Sequence, residues 1–247
     1  MSGKCASVAS TIVADLSQSS YYTRPNTSSA IMRLAHFPDG VLPLLQMENL
    51  VTREAASVFG CSTIVEFGCY DGRALEVARF SGTRYLGIDM DKGAISTLRA
   101  RIMQEGLEGL ASAIVGNALE HWEWGKAVVG PKPLHLLPFN LLGNFRDPWV
   151  LMRSLTEIGG IAVLSVFNDA AHTTEIRRIY YTECGIRSVR QASSDHGGVL
   201  FTGDGGFYSQ SFNEDGLHAL IRKSGATVLR TARNSIGYCA TVLLGNR

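Results

Sequence analysis

The sequence lacks the features that would place this chain in a membrane or in an oxidising compartment. No run approaches the roughly 18 consecutive apolar residues of a membrane-spanning helix. The first residues, Met-Ser-Gly-Lys-Cys, do not lead into the apolar core of roughly 7–15 residues that a secretory signal peptide carries. The five cysteines are scattered, odd in number and without a CxxC pair, which favours reduced thiols and disfavours a zinc site. We therefore expect a cytoplasmic protein with no membrane partner and no metal.

The sequence also lacks a block of basic residues. The formal net charge is +1, and Lys and Arg are spread along the chain. A nucleic-acid partner normally shows as a basic patch or stripe, so no nucleic acid is expected, although folding could assemble such a patch from distant residues. At 247 residues and 45% hydrophobic content, the chain can bury one sizeable core. Homo-oligomerisation stays open.

A strand, a glycine turn and a helix stand at the centre of the chain. The segment Thr63–Phe67 is apolar around Glu66 and runs into Gly68 and Gly72, after which the spacing is helical. Such a turn lets the backbone approach a ligand closely. A second run, Tyr85–Asp89, ends in a carboxylate that can hydrogen-bond both hydroxyls of a ribose. The two segments together predict a nucleoside-containing ligand.

The glycine spacing argues against a dinucleotide. That fingerprint needs Gly-x-Gly-x-x-Gly, but position 70 is Tyr and position 73 is Arg. The pattern that remains, Glu66-x-Gly68-x-x-x-Gly72, resembles motif I of the class I S-adenosylmethionine-dependent methyltransferases. The usual family form is acid-x-Gly-x-Gly-x-Gly, and this chain departs from it at Tyr70, which replaces the middle glycine. An ordinary βαβ turn without a cofactor is the alternative.

The resemblance implies S-adenosylmethionine as the cofactor and assigns residues to it. Glu66 is expected to face the methionine amino group, Asp89 to bind the ribose and Met90 to pack against the adenine. Asn117 stands where the family often has an Asp at the adenine N6, and an Asn carbonyl can accept the same bond, although a simple turn residue would look alike. The other cofactor-binding residues expected from motif position are Gly68, Cys69, Tyr70, Gly72 and Ala118.

Strands and helices alternate after the glycine turn. The run Ile161–Phe167 is almost purely apolar, as in a strand covered on both faces. The alternation predicts an α/β fold with a doubly wound parallel sheet. A strand is expected at 186–192, and a glycine-rich turn at 203–206 predicts a hairpin. Asp147 is the expected N-cap of a helix at 148–157. A helix after Asn213 and two final strands, at 226–232 and 238–244, match the methyltransferase family. The resemblance implies its seven-stranded, mostly parallel sheet with a reversed last strand.

Residues 1–58 are expected to form an N-terminal helical lid, and residues 59–247 the cofactor-binding domain. Two helices with one apolar stripe each cannot bury that stripe alone, so they must dock on the sheet domain. Tyr22 and Arg24 would then reach the cofactor. Arg24 would bind the carboxylate of the cofactor, and Tyr22 would make a cation–π contact with its sulfonium. A surface turn before Pro25 is the alternative for both.

Methyl transfer requires a nucleophile held in line with the C–S bond and, where needed, a group that takes its proton. His172 is the candidate base, because it follows the fifth predicted strand and ligands of open parallel sheets bind at the carboxyl ends of strands. The candidate substrate-binding residues are Asn140 and Asn144, after the fourth predicted strand, together with Asn168 and Tyr208.

Three classes of function stay open. The leading prediction is an enzyme that methylates O, N or C of a small-molecule acceptor, as in specialised metabolism. The alternatives are an RNA or protein methyltransferase, and a non-catalytic relative that serves as a binding partner. The chain lacks the Asn/Asp-Pro-Pro-Tyr/Phe signature of amide-nitrogen and base methylation, so it carries no specific signal for nucleic acid or protein glutamine.

Overall fold

Two sheets organise the computed structural model, which describes residues 21–22, 24, 27–128 and 130–245. The strands are β1 (Thr63–Phe67), β2 (Arg84–Asp89), β3 (Ala111–Val115), β4 (Pro133–Leu137), β5 (Gly160–Phe167), β6 (Arg190–Ser193), β7 (Gly197–Gly203), β8 (Phe207–Phe212), β9 (Thr227–Arg233) and β10 (Gly237–Leu244). The large sheet has the order β3-β2-β1-β4-β5-β10-β9. Strands β1 to β5 pair in parallel, whereas β10 runs antiparallel to both β5 and β9. The predicted doubly wound, seven-stranded, mostly parallel sheet with a reversed last strand is confirmed.

Helices flank the large sheet. Those in the described part of the chain are α1 (Thr27–Met32), α2 (Leu42–Val58), α3 (Leu75–Ser81), α4 (Lys92–Gln104), α5 (His121–Trp124), α6 (Pro148–Ile158), α7 (Ala171–Glu183) and α8 (Glu214–Lys223). Capping side chains fix two of their starts as the sequence predicts. The Asp147 carboxylate accepts the N–H of Trp149 before α6, and the Asn213 side chain accepts the N–H of Gly216 before α8.

The large sheet divides the apolar interior into two cores, because successive side chains of a strand point to opposite faces. Ile64 of β1 belongs to the core with α2, α3, α4 and α7, whereas its neighbour Val65 belongs to the core with α5, α6 and α8. In β5, every residue from Ile161 to Phe167 is buried. The apolar run that predicted a strand covered on both faces is therefore explained by helices on both sides.

Helix α2 lies directly on the large sheet. It packs against β5 and β10 and buries Leu44, Val51 and Ala55 there. These contacts attach α2 to the sheet domain, and the described residues that precede it are 21–22, 24 and 27–41. The remainder of the expected lid, residues 1–20, lies outside the described residues, and the division at residues 58 and 59 stays a prediction.

Strands β6, β7 and β8 form a small antiparallel sheet between α7 and α8. The predicted hairpin is present, with Gly205 in the left-handed region (φ 73°) of the turn between β7 and β8. The strand expected to begin at Ile186 begins instead at Arg190. Ser188 explains the later start, because its φ of 53° is incompatible with an extended strand.

Arg177 of α7 ties this small sheet to the body of the protein. Its side chain is fully buried and donates to the carbonyl oxygens of Val199 (3.0 Å) and Ser209 (2.8 Å), and to the Tyr181 hydroxyl (3.2 Å). The guanidinium carbon also lies 4.9 Å from the centre of the Phe201 ring. A buried charge with these partners stabilises, whereas its loss would remove a charged donor from each of the three acceptors.

We predict that Arg177→Leu lowers the free energy of unfolding by at least about 3 kcal/mol, since charged hydrogen bonds contribute roughly 1.5–3 kcal/mol each. Urea denaturation measures the loss. The matched control is Arg178→Leu, the next residue of the same helix, whose half-exposed guanidinium pairs with Glu175 and should cost less than about 1 kcal/mol. Equal losses in the two variants would contradict the role given to Arg177.

Candidate functional site

The loop after β1 turns sharply through left-handed backbone conformations. Gly68, Tyr70 and Gly72 have φ values of 60°, 48° and 81°. A Cβ on Gly72 would lie 2.6 Å from Cδ1 of Leu98, so this position has no room for a side chain. Tyr70 occupies the place of the middle glycine of the family motif, and its positive φ explains why glycine is usual there. The turn keeps the glycine-like geometry at a cost in strain on the order of 1–3 kcal/mol.

Asp89 ends β2 directly beside this loop. Its Oδ2 accepts the backbone N–H of Tyr70 at 3.0 Å, and its Oδ1 accepts the N–H of Asp91 at 2.9 Å. Each carboxylate oxygen retains a lone pair for a further donor. Burial raises the pKa of Asp89, while the two backbone donors act in the opposite direction. The side chain is 7% exposed and lines a cavity.

This outer cavity lies at the carboxyl ends of β1, β2 and β3, and its space measures about 690 Å³ when the open solvent at its mouth is included. The residues that line it alone are Ile88, Asp89, Met90, Gly116, Ala118 and Phe145. Apolar walls with one carboxylate at the edge are typical of a site for a nucleoside, whose base is flat and whose ribose carries hydroxyl donors.

An inner cavity adjoins the outer one, and its space measures about 410 Å³ when the open solvent at its mouth is included. The two share a wall made of Tyr22, Ile31, Met32, Gly68, Leu141 and Asn144. The residues that line only the inner cavity are Arg73, Pro138, Phe139, Asn140, Phe167, Tyr180, Tyr181 and Ser209. The inner cavity is therefore largely aromatic and contains one arginine.

Tyr22 covers the junction of the two cavities. Its hydroxyl donates to Oδ1 of Asn144 at 3.0 Å, and its ring packs on Tyr21 and Phe207. Burial raises the pKa of the Tyr22 hydroxyl well above its ordinary value, so the phenol stays neutral and available as a donor. The segment before α2 thus contacts both the loop after β4 and the small sheet.

Glu66 lies behind the glycine loop. Its Oε2 accepts the Tyr85 hydroxyl at 2.6 Å and the backbone N–H of Ala74 at 3.1 Å. The carboxylate is 1% exposed and lines neither cavity. Burial raises its pKa from 4.5 to about 7, against the lowering effects of the Tyr85 hydrogen bond and the Arg73 charge. In this structure Glu66 holds the loop in place.

Five of the eleven predicted cofactor-binding residues line the outer cavity: Tyr22, Gly68, Asp89, Met90 and Ala118. Cys69, Tyr70 and Gly72 complete the loop behind it. Asn117 lies outside the lining, and its Oδ1 accepts the backbone N–H of Leu119 at 3.0 Å, as a turn residue would. Arg24 is exposed and lies against Gly205 in the β7–β8 turn, outside both cavities.

The predicted substrate-binding asparagines have different surroundings. Asn140 lines the inner cavity, but its amide donates to Ser209 and Gln210 and accepts the N–H of Phe167. Asn144 borders both cavities. Asn168 lines neither, and its Oδ1 accepts the N–H of Ala170 and the hydroxyl of Thr173 at the start of α7.

Neither His172 nor Tyr208 lines either described cavity. His172 is exposed in the first turn of α7. Tyr208 faces Arg146, whose guanidinium carbon is 5.7 Å from its ring centre. The cluster of Phe207, Tyr181 and Phe201 is packed together between α7 and the small sheet.

Sequence reasoning missed Arg73, Tyr180 and Tyr181 of the inner cavity. Arg73 entered only as a departure from the dinucleotide pattern, although its position directly after Gly72 places it at the ligand-facing loop. The two tyrosines gave no local signal, because α7 is brought over the sheet by tertiary packing. No cluster of potential metal ligands occurs within the described ranges, and no helix there is long and apolar enough to cross a bilayer.

The chain matches no protein-family model and no curated protein. It is similar in fold to magnesium protoporphyrin IX methyltransferase from Synechocystis PCC 6803, with 13% identity, 80% of this chain and 82% of that chain covered, and a TM-score of 0.54. It is also similar to the 1,6-didemethyltoxoflavin-N1-methyltransferase of Burkholderia thailandensis, at 13% identity, 82% and 81% coverage, and a TM-score of 0.54.

A third similar structure is the [4+2]-cyclase SpnF, at 13% identity, 81% and 80% coverage, and a TM-score of 0.54. The first two structures contain S-adenosylhomocysteine. Together with the strand order, these similarities show that the chain has the class I methyltransferase fold. Because one of the three is a cyclase, the fold alone does not decide the reaction.

The raised pKa of Glu66 predicts a pH-dependent stability. The folded protein holds the proton more tightly than the unfolded chain, so this contribution is complete below pH 4.5 and is lost as the pH rises through about 7. At roughly 1.4 kcal/mol per pKa unit, we expect the wild type to lose on the order of 3 kcal/mol of unfolding free energy between about pH 5 and 8. The Glu66→Gln variant should lack this loss. Urea denaturation across that range measures it, with exposed Glu175→Gln as control. Parallel curves for wild type and Glu66→Gln would be inconsistent with this explanation.

Proposed function

We propose that this protein, which has the class I methyltransferase fold, binds S-adenosylmethionine and transfers its methyl group to a small molecule. The outer cavity takes the adenosine portion of the cofactor. The glycine loop then directs the methionine portion towards the inner cavity, where the acceptor binds. When bound, the cofactor supplies an activated methyl group on a sulfonium, and the protein supplies position and the exclusion of water.

The observation that carries this proposal is the position of Asp89 beside the left-handed loop from Gly68 to Gly72. Both carboxylate oxygens are fixed by backbone N–H groups and retain lone pairs at the cavity wall. Two neighbouring hydroxyls of a ribose match two such acceptors. Met90 and Ala118 provide the apolar surface beside it that an adenine needs.

A small-molecule acceptor fits the inner cavity better than a polymer does. The cavity is bounded by α7, the small sheet and the segment around Tyr22. The chain has a formal net charge of +1 and gives no sign of the basic groove that an RNA would need. A reaction other than methyl transfer is the second candidate, which the cyclase of the same fold favours.

Some acceptors must lose a proton during methyl transfer. No histidine lines either cavity. His172 stays a prediction, and its exposed position gives it no contact with the inner cavity. Asn144 and Ser209 are neutral polar groups that can orient an acceptor without taking its proton. Methylation of an already ionised or intrinsically nucleophilic acceptor needs no base, which agrees with this lining.

The segment at 21–41 is proposed to act as the lid. Tyr22, Ile31 and Met32 form the shared wall of both cavities, so a bound cofactor would lie beneath them. The Tyr180 hydroxyl, which donates to the Ile31 carbonyl at 2.6 Å, holds this segment onto α7. A cytoplasmic location is part of the same proposal, since the four described cysteines are free and buried.

We predict that the protein binds S-adenosylhomocysteine and not NAD, and that Asp89→Ala weakens this binding at least tenfold. The variant loses up to two charge-assisted hydrogen bonds of roughly 1.5–3 kcal/mol each. Isothermal titration calorimetry measures both. Asp147→Ala is the control, because it also removes a carboxylate that accepts a backbone N–H but lies outside both cavity linings. NAD binding, or an unchanged dissociation constant for Asp89→Ala, would refute the assignment.

We also predict that S-adenosylhomocysteine slows amide exchange in residues 27–41 while leaving the exposed β9 edge unchanged. Ligand beneath Tyr22 and Ile31 adds contacts that opening of the segment would have to break. Hydrogen exchange with and without ligand gives the answer by mass spectrometry. Tyr22→Phe, which removes the bond to Asn144, should reduce the added protection. If the ligand leaves amide exchange unchanged throughout 27–41, the segment does not act as a lid.

A further inference from the structure

Arg73 is the one charged side chain in the lining of the inner cavity. It directly follows Gly72, whose backbone is left-handed. Its terminal nitrogens Nη1 and Nη2 are both buried, and neither has a hydrogen-bond partner among the described residues. A guanidinium stays ionised at all ordinary pH values. The Glu48 carboxylate, 4.0 Å from Nη2, offsets part of the charge, but the unused donors carry a desolvation cost that a ligand can remove.

The surroundings hold Arg73 in place without using these donors. Oε1 of Glu48 lies 4.0 Å from Nη2, beyond hydrogen-bonding distance. The other oxygen, Oε2, accepts the backbone N–H of Phe139 at 2.7 Å. The Arg73 guanidinium carbon lies 5.3 Å from the centre of the Phe139 ring. Glu48 and Phe139 therefore position the arginine, while its two terminal nitrogens remain free for an acceptor.

Arg177, a fully buried arginine, has a different environment. Arg177 places all three of its nitrogens on protein acceptors, namely Tyr181, Val199 and Ser209, and it is absent from the cavity lining. The contrast separates a structural arginine from one with unused donors. Only Arg73 has both a cavity in front of it and nothing bound to its donors.

We propose that Arg73 is the carboxylate-binding residue of the inner cavity. A carboxylate matches the two terminal nitrogens of a guanidinium through a pair of parallel hydrogen bonds. The rest of the lining is aromatic or neutral, so the ligand combines an anionic end with an apolar body. This inference deepens the proposed function, on which it rests for the choice between two sources of the carboxylate.

The carboxylate belongs either to the methionine portion of the cofactor or to an acidic acceptor. Gly68 borders both cavities, so a cofactor that enters from the outer cavity passes close to Arg73. An aromatic acid placed wholly within the inner cavity reaches the same donors. The two sources share one chemistry and can be separated by ligands that carry or lack the group.

The first arm compares S-adenosylhomocysteine with 5′-methylthioadenosine, which lacks the amino-acid portion. If the cofactor supplies the carboxylate, Arg73→Gln weakens the homocysteine ligand at least tenfold and leaves methylthioadenosine unchanged. Calorimetry on the full chain gives both dissociation constants. Arg73→Lys, which keeps the charge but not the planar pair of donors, should fall between wild type and Arg73→Gln.

The second arm uses 2-naphthoate and the neutral 2-naphthamide as probes, with and without saturating S-adenosylhomocysteine. If an acceptor supplies the carboxylate, wild type binds naphthoate at least tenfold more tightly than naphthamide, and Arg73→Gln removes that preference. Arg153→Gln is the control for the loss of one positive charge, since Arg153 is exposed and pairs with Glu157.

Either result supports the proposal and identifies the source. The proposal is overturned if Arg73→Gln and Arg73→Lys leave the affinities for all four ligands unchanged. Thermal unfolding of each variant shows whether it is folded, and Arg73→Lys carries the test should Arg73→Gln not fold. If the proposed function is wrong, the wild-type protein binds neither adenosyl ligand. The naphthoate arm without cofactor then decides the role of Arg73.

Discussion

Two left-handed turns at the carboxyl edge of the large sheet create the space on which the whole site depends. One follows β1 at Gly68 and Tyr70, and the other follows β4 at Phe139 and Asn140. Each turns the chain away from the sheet, and the gap between them becomes the two cavities. Three of these residues, Tyr70, Phe139 and Asn140, are not glycine and still have a positive φ. Such strain persists only where the surrounding structure holds it.

The surroundings do hold it, through buried side chains that serve the backbone. Asp89 accepts the N–H of Tyr70, and Glu48 of α2 accepts the N–H of Phe139. Asn140 uses its amide to join β5 to β8. The charges nearest the cavities thus act first as anchors for loops. Among the charged side chains that line the described cavities, the carboxylate of Asp89 and the guanidinium of Arg73 keep unused capacity towards a ligand.

The sequence was sufficient for those parts of the molecule that depend on local pattern. Apolar runs located the strands, Asp147 and Asn213 located helix starts, and motif spacing placed Gly68 and Asp89 beside one cavity. It was insufficient where long-range packing decides. The expected strand at Ile186 starts later because of one left-handed serine. Likewise, α2 shows the apolar stripe of a docking helix, but nothing local tells that it docks on β5 and β10.

The central claim is that the cavity beside Asp89 and the glycine loop is a site for S-adenosylmethionine. The most direct test is a crystal structure of the protein with S-adenosylhomocysteine. The account predicts the ribose hydroxyls on the Asp89 carboxylate, the adenine against Met90, and the homocysteine portion passing Gly68 towards the inner cavity. A complex with the ligand bound elsewhere, or crystals grown at saturating ligand in which the outer cavity holds none, would contradict it.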